Sequence, residues 1–185
     1  MMTYKNTATE LKAAQEDALQ EKLVCVRRHS RTVKGGRIMS FSALVVVGDG
    51  GHKVGYARGR ALSVPAAVSK ATAKARRTMI EIEIKNDTIL YPILAKAGAT
   101  QVYLQPATPG TGLVASHAVR SVLETIGMKN VLSKIYGSTN PMNVVRATFN
   151  GLKQMKSTRY FSRKRGLTYT EMFTHVTPND IEVLA

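Results

Sequence analysis

The chain has 185 residues, 44% of them apolar, enough for one large domain or two small ones with a buried core. Twenty-seven Lys and Arg against 12 Asp and Glu leave a net charge of +15, which repels itself unless a polyanion neutralises it. The composition argues against other classes. The longest clean apolar run, 43–47, is far short of the roughly 20 residues a membrane helix needs. Glu10, Glu16, Asp17 and Glu21 do not suit a transit peptide, and the lone Cys25 excludes an intrachain disulfide and fits a reducing compartment.

The charge is unevenly placed. Residues 1–21 hold two cations and four acids, whereas residues 22–77 hold thirteen cations and one acid, Asp49. Residues 1–21 read as a polar, helical extension without a strong apolar stripe. Residues 22–33 and 37–48, rich in Val, Ile and Phe, read as two strands joined by a turn at 34–36. Four cations, Arg28, Arg31, Lys34 and Arg37, cluster at that turn, and Gly35 and Gly36 let its backbone approach another surface closely. An isolated basic turn is more often simply solvated; here the neighbouring elements are basic as well. Asp49-Gly50-Gly51 is a second turn. Residues 53–61 are a third strand with Lys53, Arg58 and Arg60, in which Gly55 and Gly59 predict a bulge or a close backbone approach.

Ser63 reads as the cap of a helix reaching about Thr78, with Pro65 in its first turn and Val68, Ala71, Ala75 and Met79 as its inner stripe. Lys70, Lys74 and Arg77 fall at i, i+4 and i+7 on another face, with Arg76 beside them. Ile80, Ile82 and Ile84 alternate with polar residues as a half-buried strand. A boundary is expected near 86–95, after an N-terminal unit of three or more antiparallel strands covered by one helix. The second half reads as βαβα: a strand at 101–105, a glycine-rich loop at 106–112, a helix at 113–126 ended by Gly127, a strand at 131–136, and a helix capped by Asn140 and opened by Pro141. Val144, Val145, Thr148, Leu152 and Met155 form its buried side. The tail carries Arg163-Lys-Arg165 and a Thr168-x-x-Glu171 capping box for a short helix.

Catalysis has little support. His29, His52, His117 and His175 are scattered, and none has a His or Cys at metal-ligand spacing, so no metal or cofactor is expected. The loop 109–116 has the form of a phosphate cradle, and a phosphotransferase is the alternative reading. It lacks a recognisable metal-binding acid: Glu124 and Asp87 are the nearest candidates. A packing loop or a macromolecular contact is the stronger reading. Few aromatics (6%) and no tryptophan argue against base stacking and for a folded or duplex RNA gripped through its backbone. A free double-stranded-RNA-binding protein is a third reading.

Six ordered motifs then resemble one family: Thr32-Val-Lys-Gly-Gly-Arg37, Val47-Gly-Asp-Gly50, Val64-Pro-Ala-Ala67 with the basic helix, Gln105-Pro-Ala107, Gly110-Thr-Gly112, and Gly137-Ser-Thr-Asn-Pro141 with Asn143-Val-Val-Arg-Ala147. Over roughly residues 22–170 the chain resembles the bacterial-type ribosomal protein five of the small subunit. The resemblance implies a two-domain α+β fold: an extension (1–21), a domain similar to double-stranded-RNA-binding domains (22–88), a βαβα domain with a mixed sheet (89–160) and a tail (161–185). It implies a structural, non-enzymatic role on the cytoplasmic ribosome, without cofactor, membrane or homo-oligomer. Implied partners are small-subunit rRNA at the head–body junction, small-subunit proteins four and eight, and the mRNA entry path, with an influence on decoding accuracy. The basic turn, third strand and helix make Arg28, Arg31, Lys34, Gly35, Gly36, Arg37, Lys53, Arg58, Arg60, Lys70, Lys74 and Arg77 the candidate RNA contacts, and the resemblance implies that role for Lys34, Gly35, Gly36 and Arg37. Gly110, Thr111, Gly112, Ser116 and His117 are the candidate protein interface, the last two standing where relatives often have Gly-Gly. Ala57 replaces a frequent glycine, and Ser63 a frequent acid.

Overall fold

A computed structural model describes residues 19–82, 84 and 87–166. Its first sheet holds β1 (Gln20–Val33), β2 (Gly36–Gly48), β3 (Lys53–Ala61) and β4 (Ile80–Glu81), in that order and all antiparallel. Helix α1 (Val64–Arg77) joins β3 to β4. The second sheet runs β5 (Ile93–Ala97), β6 (Thr100–Pro106), β8 (Val131–Gly137), β7 (Leu113–Val114), with only β7 and β8 parallel. Helices α2 (His117–Ile126), α3 (Pro141–Gln154) and α4 (Thr158–Arg165) complete an α+β architecture, two runs of elements each with its own sheet.

The run 43–47 is buried throughout because β2 is covered on both faces. Ala43, Val45 and Val47 pack with Ala57 against Ala67, Ala71 and Ala75 of α1. Leu44 and Val46 point the other way, into a larger core with Val54, Val119, Val122, Ile126, Val144 and Val145. The N-terminal unit has one helix of its own, as expected; in addition its second face is covered by α2 and α3, and one core joins both sheets. Ring contact between Tyr56 of β3 and Phe149 of α3, 4.4 Å between centroids, lies on the same seam.

Gly55 and Gly59 mark a close approach rather than a bulge, since β2–β3 pairing is regular through 54–61. A Cβ on Gly59 would lie 2.1 Å from the Ala67 carbonyl oxygen, and one on Gly55 2.3 Å from that of Ala75. Small residues on both sides thus let α1 lie directly on the sheet. The bulge falls instead in β1, between Leu23 and Cys25.

Several expectations shift. The chain pairs from Gln20, so residues 20–21 belong to β1 and not to the extension; residues 1–18 and the 168–171 capping box lie outside the described residues. Only Ile80 and Glu81 of the 80–84 alternation pair as strand, although Ile82 is buried and Ile84 packs on the core. β5 has no counterpart in the sequence reading, because its Ala and Lys are weak strand formers. Leu113 and Val114 pair with Val131 and Leu132, so the helix expected from 113 starts only at His117. Met79 lies past the end of α1, which closes at Arg77. Ser63 and Asn140 occupy N-cap positions, but neither side chain caps its helix. The Asn140 amide oxygen instead accepts from Arg27, 3.0 Å away. A further helix, α4, crosses the boundary expected at 160 and takes in residues 161–165 of the tail; at its start the Ser157 hydroxyl accepts from the Tyr160 N–H.

Candidate nucleic-acid interface

β3 pairs with β2 only from Phe41 onward, so the distal parts of β1 and β2 project as a two-stranded arm. Every residue from Ser30 to Met39 is exposed. A two-residue turn, Lys34-Gly35, closes the arm between the paired Val33 and Gly36. Gly36 has φ of +141°, which side chains rarely adopt, so a glycine is needed where the arm turns back. A Cβ on Gly35 or Gly36 would meet nothing within 4 Å, so both leave open space before the tip.

All ten candidate cations are exposed. Among the described residues none of them pairs with a carboxylate; the ion pairs are Lys22–Glu124, Arg76–Glu21 (3.1 Å) and Lys129–Asp87 (2.9 Å). Cross-strand partners assign their faces. Arg31 opposes Ile38, and Arg58 and Arg60 oppose Leu44 and Ser42, so these three share the face that farther along carries the main core. Arg60 is held by two bonds to the Ser40 hydroxyl, at 3.1 and 2.9 Å. Arg28 and Arg37 oppose Phe41 and Thr32 and lie on the other face, the one α1 covers. The arm is thus basic on both sides. Lys53, next to the 49–51 turn, lies at the far end of the sheet and is not brought to the arm.

Lys70, Lys74 and Arg77 form one exposed flank of α1. Arg76, read beside them, lies on the opposite flank, where Glu21 holds both it and the Thr72 hydroxyl. The 70–77 flank leads into a groove that Lys74 shares with Arg58 of β3 and Lys153 of α3. Lys153 lies outside the sequence-derived set. So does Arg27, whose place in the Arg27, His29, Arg31 alternation could have marked it.

Asp49, the acid among thirteen cations, serves its own turn. Its carboxylate accepts the N–H groups of Gly51, His52 and Lys53 at 2.9, 3.0 and 2.9 Å. Burial pushes its pKa up, but those backbone donors outweigh it and hold the group below its ordinary value.

The 106–117 stretch divides in two. Gly110 and Gly112 donate their N–H groups to the Asn130 amide oxygen, at 3.1 and 3.2 Å. Two amides a phosphate cradle needs are therefore occupied by a side chain. Ser116 and His117 are exposed at the start of α2, separated from that loop by β7. Gly110 and Thr111 are exposed and Gly112 is half-buried, so all five candidate interface residues are at least partly accessible.

Comparison with known proteins bears on this geometry. The family model for the ribosomal protein S5 N-terminal domain matches residues 19–83, and that for the S5 C-terminal domain matches residues 95–165. The small ribosomal subunit protein uS5 of Psychrobacter sp. (strain PRwf-1) is 55% identical over 161 residues, 87% of this chain and 98% of the relative. That of Francisella tularensis subsp. novicida (strain U112) is 52% identical over 165 residues, 89% and 98% of the two chains. The chain belongs to the uS5 family of small-subunit ribosomal proteins. As a uS5 protein it is a structural constituent of the small ribosomal subunit and not an enzyme. uS5 proteins are part of the ribosome, which in bacteria lies in the cytoplasm.

Proposed function

We propose that this uS5 chain grips small-subunit rRNA through the arm and the basic flank of α1. Lys34 and Arg37 at the tip, Arg28 and Arg31 along the arm, and Arg58, Arg60, Lys70, Lys74 and Arg77 behind it would neutralise phosphates, while Gly35 and Gly36 admit the backbone closely. Lys53, at the far end of the sheet, would touch a separate stretch of RNA. The observation that carries this reading is that every one of these cations is exposed and unpaired with a carboxylate of the described residues. Charges left open in this way are neutralised by an external polyanion. In the same reading residues 22–88 are the RNA-binding unit and 89–160 a second unit. The site lies at the head–body junction of the subunit, beside small-subunit proteins four and eight. Gly110–Gly112 and Ser116–His117 face a protein neighbour, and the chain contributes to decoding accuracy and mRNA entry.

The test is rRNA affinity as a function of salt. If about 6–10 phosphates are contacted, affinity falls by about 10³-fold or more between roughly 50 and 200 mM salt. A binding constant indifferent to salt would refute the mechanism. Lys34→Ala with Arg37→Ala removes two contacts and lowers the salt slope by about 1.8. The arm residues are solvent-exposed, so the double variant keeps its fold and loses subunit assembly or decoding fidelity. Normal assembly and fidelity in that variant would take the tip out of the account.

A further inference from the structure

We infer that the groove where β3, α1 and α3 meet is a phosphate-binding site, which holds a span of RNA backbone across both halves of the chain. The inference rests on the RNA reading above and extends it to α3. The groove has a volume of about 390 Å³ and is lined by Arg58, Lys74 and Lys153, one cation from each element. Tyr56 and Phe149, in ring contact, line it as well, and Asn150 lies one turn before Lys153. All three cations are exposed, and none pairs with a carboxylate of the described residues. No acid lines the groove.

Three like charges brought to one opening repel each other, and nothing in the groove offsets them. Arg58 and Lys74 are placed by β3 and α1, whose contact through Gly59 and Ala71 is too close to adjust. Lys153 is brought by α3, which the main core fastens to the same sheet. The charges are therefore placed by packing and cannot easily disperse. A volume of this size suits a nucleotide-sized group. An Arg with two Lys suits phosphate oxygens, the Arg as a planar fork and the lysines as point charges. The groove continues the Lys70, Lys74, Arg77 flank, so a strand following that flank reaches Lys153 next. RNA then touches α3 as well as the first sheet, and its binding braces the seam between the two halves.

The experiment uses the full chain and small-subunit rRNA at salt concentrations from about 50 to 200 mM. Lys153→Gln should lower the salt slope by about 0.9, so the affinity loss over that fourfold interval becomes about 3.5-fold smaller than in the wild type. Lys153→Arg should keep the wild-type slope. Without RNA, Lys153→Gln should melt at or above the wild-type temperature, because one repelling charge is gone; this separates lost contact from lost fold. A Lys153→Gln chain with the wild-type slope overturns the groove. If Lys34→Ala with Arg37→Ala still weakens binding in that case, the arm reading stands and only the groove fails. If the wild type itself shows no salt dependence, the RNA reading fails first. A Lys153→Gln chain that binds rRNA with the wild-type slope but is lost from assembled subunits would assign the groove to an acidic protein and overturn the phosphate site.

Discussion

Replacing Gly59 by alanine tests how the basic helix is held on the sheet. The new Cβ would lie 2.1 Å from the Ala67 carbonyl oxygen, 2.6 Å from the Ala71 nitrogen and 3.0 Å from the Ala71 Cβ. Ordinary contact begins at 3.4 Å, so α1 or β3 must retreat by about 1.3 Å. Two of the three obstructing atoms are backbone, which has no rotamer to change. The cost therefore lies at the upper end of overpacking, about 3 kcal/mol. In a chain of this size that lowers Tm by about 6–12 °C. Retreat of α1 also moves Lys70, Lys74 and Arg77 away from Arg58, so rRNA affinity falls in a variant that has lost no charge. Calorimetric melting and salt-titrated rRNA binding, both on the full chain, measure the two effects. A variant that melts within about 1 °C of the wild type would refute the close-packing argument.

Two further outcomes are expected. Asp49 has a folded pKa below its unfolded value, so the stability it adds is complete above about pH 4 and is lost as pH falls through the folded value; Asp49→Asn should flatten the acid limb of a stability–pH curve, and an unchanged limb would mean that the turn does not need the charge. Asn130 is 9% exposed and holds two loop amides, so Asn130→Ala should cost about 1–3 kcal/mol by urea unfolding and speed hydrogen exchange at Gly110 and Gly112, where unchanged exchange would contradict the bonding.

The long strands, the basic helix and the tip were legible because their signals are local. Val, Ile and Phe between glycine turns mark β1 and β2, and Pro65 and Pro141 open their helices in the first turn. The cations could be picked out one by one because charge is a property of a single residue. β5 was not legible, since Ile-Leu-Ala-Lys-Ala gains strand form from its neighbour β6 and not from its own propensity. β7 was absorbed into a helix because two residues cannot show a period. The caps failed for a related reason: Asn140 has the right type and place, yet Arg27, 113 residues away in sequence, takes its oxygen.

The amino-acid order alone settled the excess of cations, the glycine-bearing arm and the family, because each rests on residues adjacent in the chain. Tertiary packing decided how those cations are grouped. Arg28 and Arg37 fall on one face and Arg31, Arg58 and Arg60 on the other, by strand register alone. Arg76 turns to Glu21 while Lys74 meets Arg58 and Lys153. Burial of β2 on both faces draws α2 and α3 onto the first sheet, and such long-range contact has no trace in a local pattern.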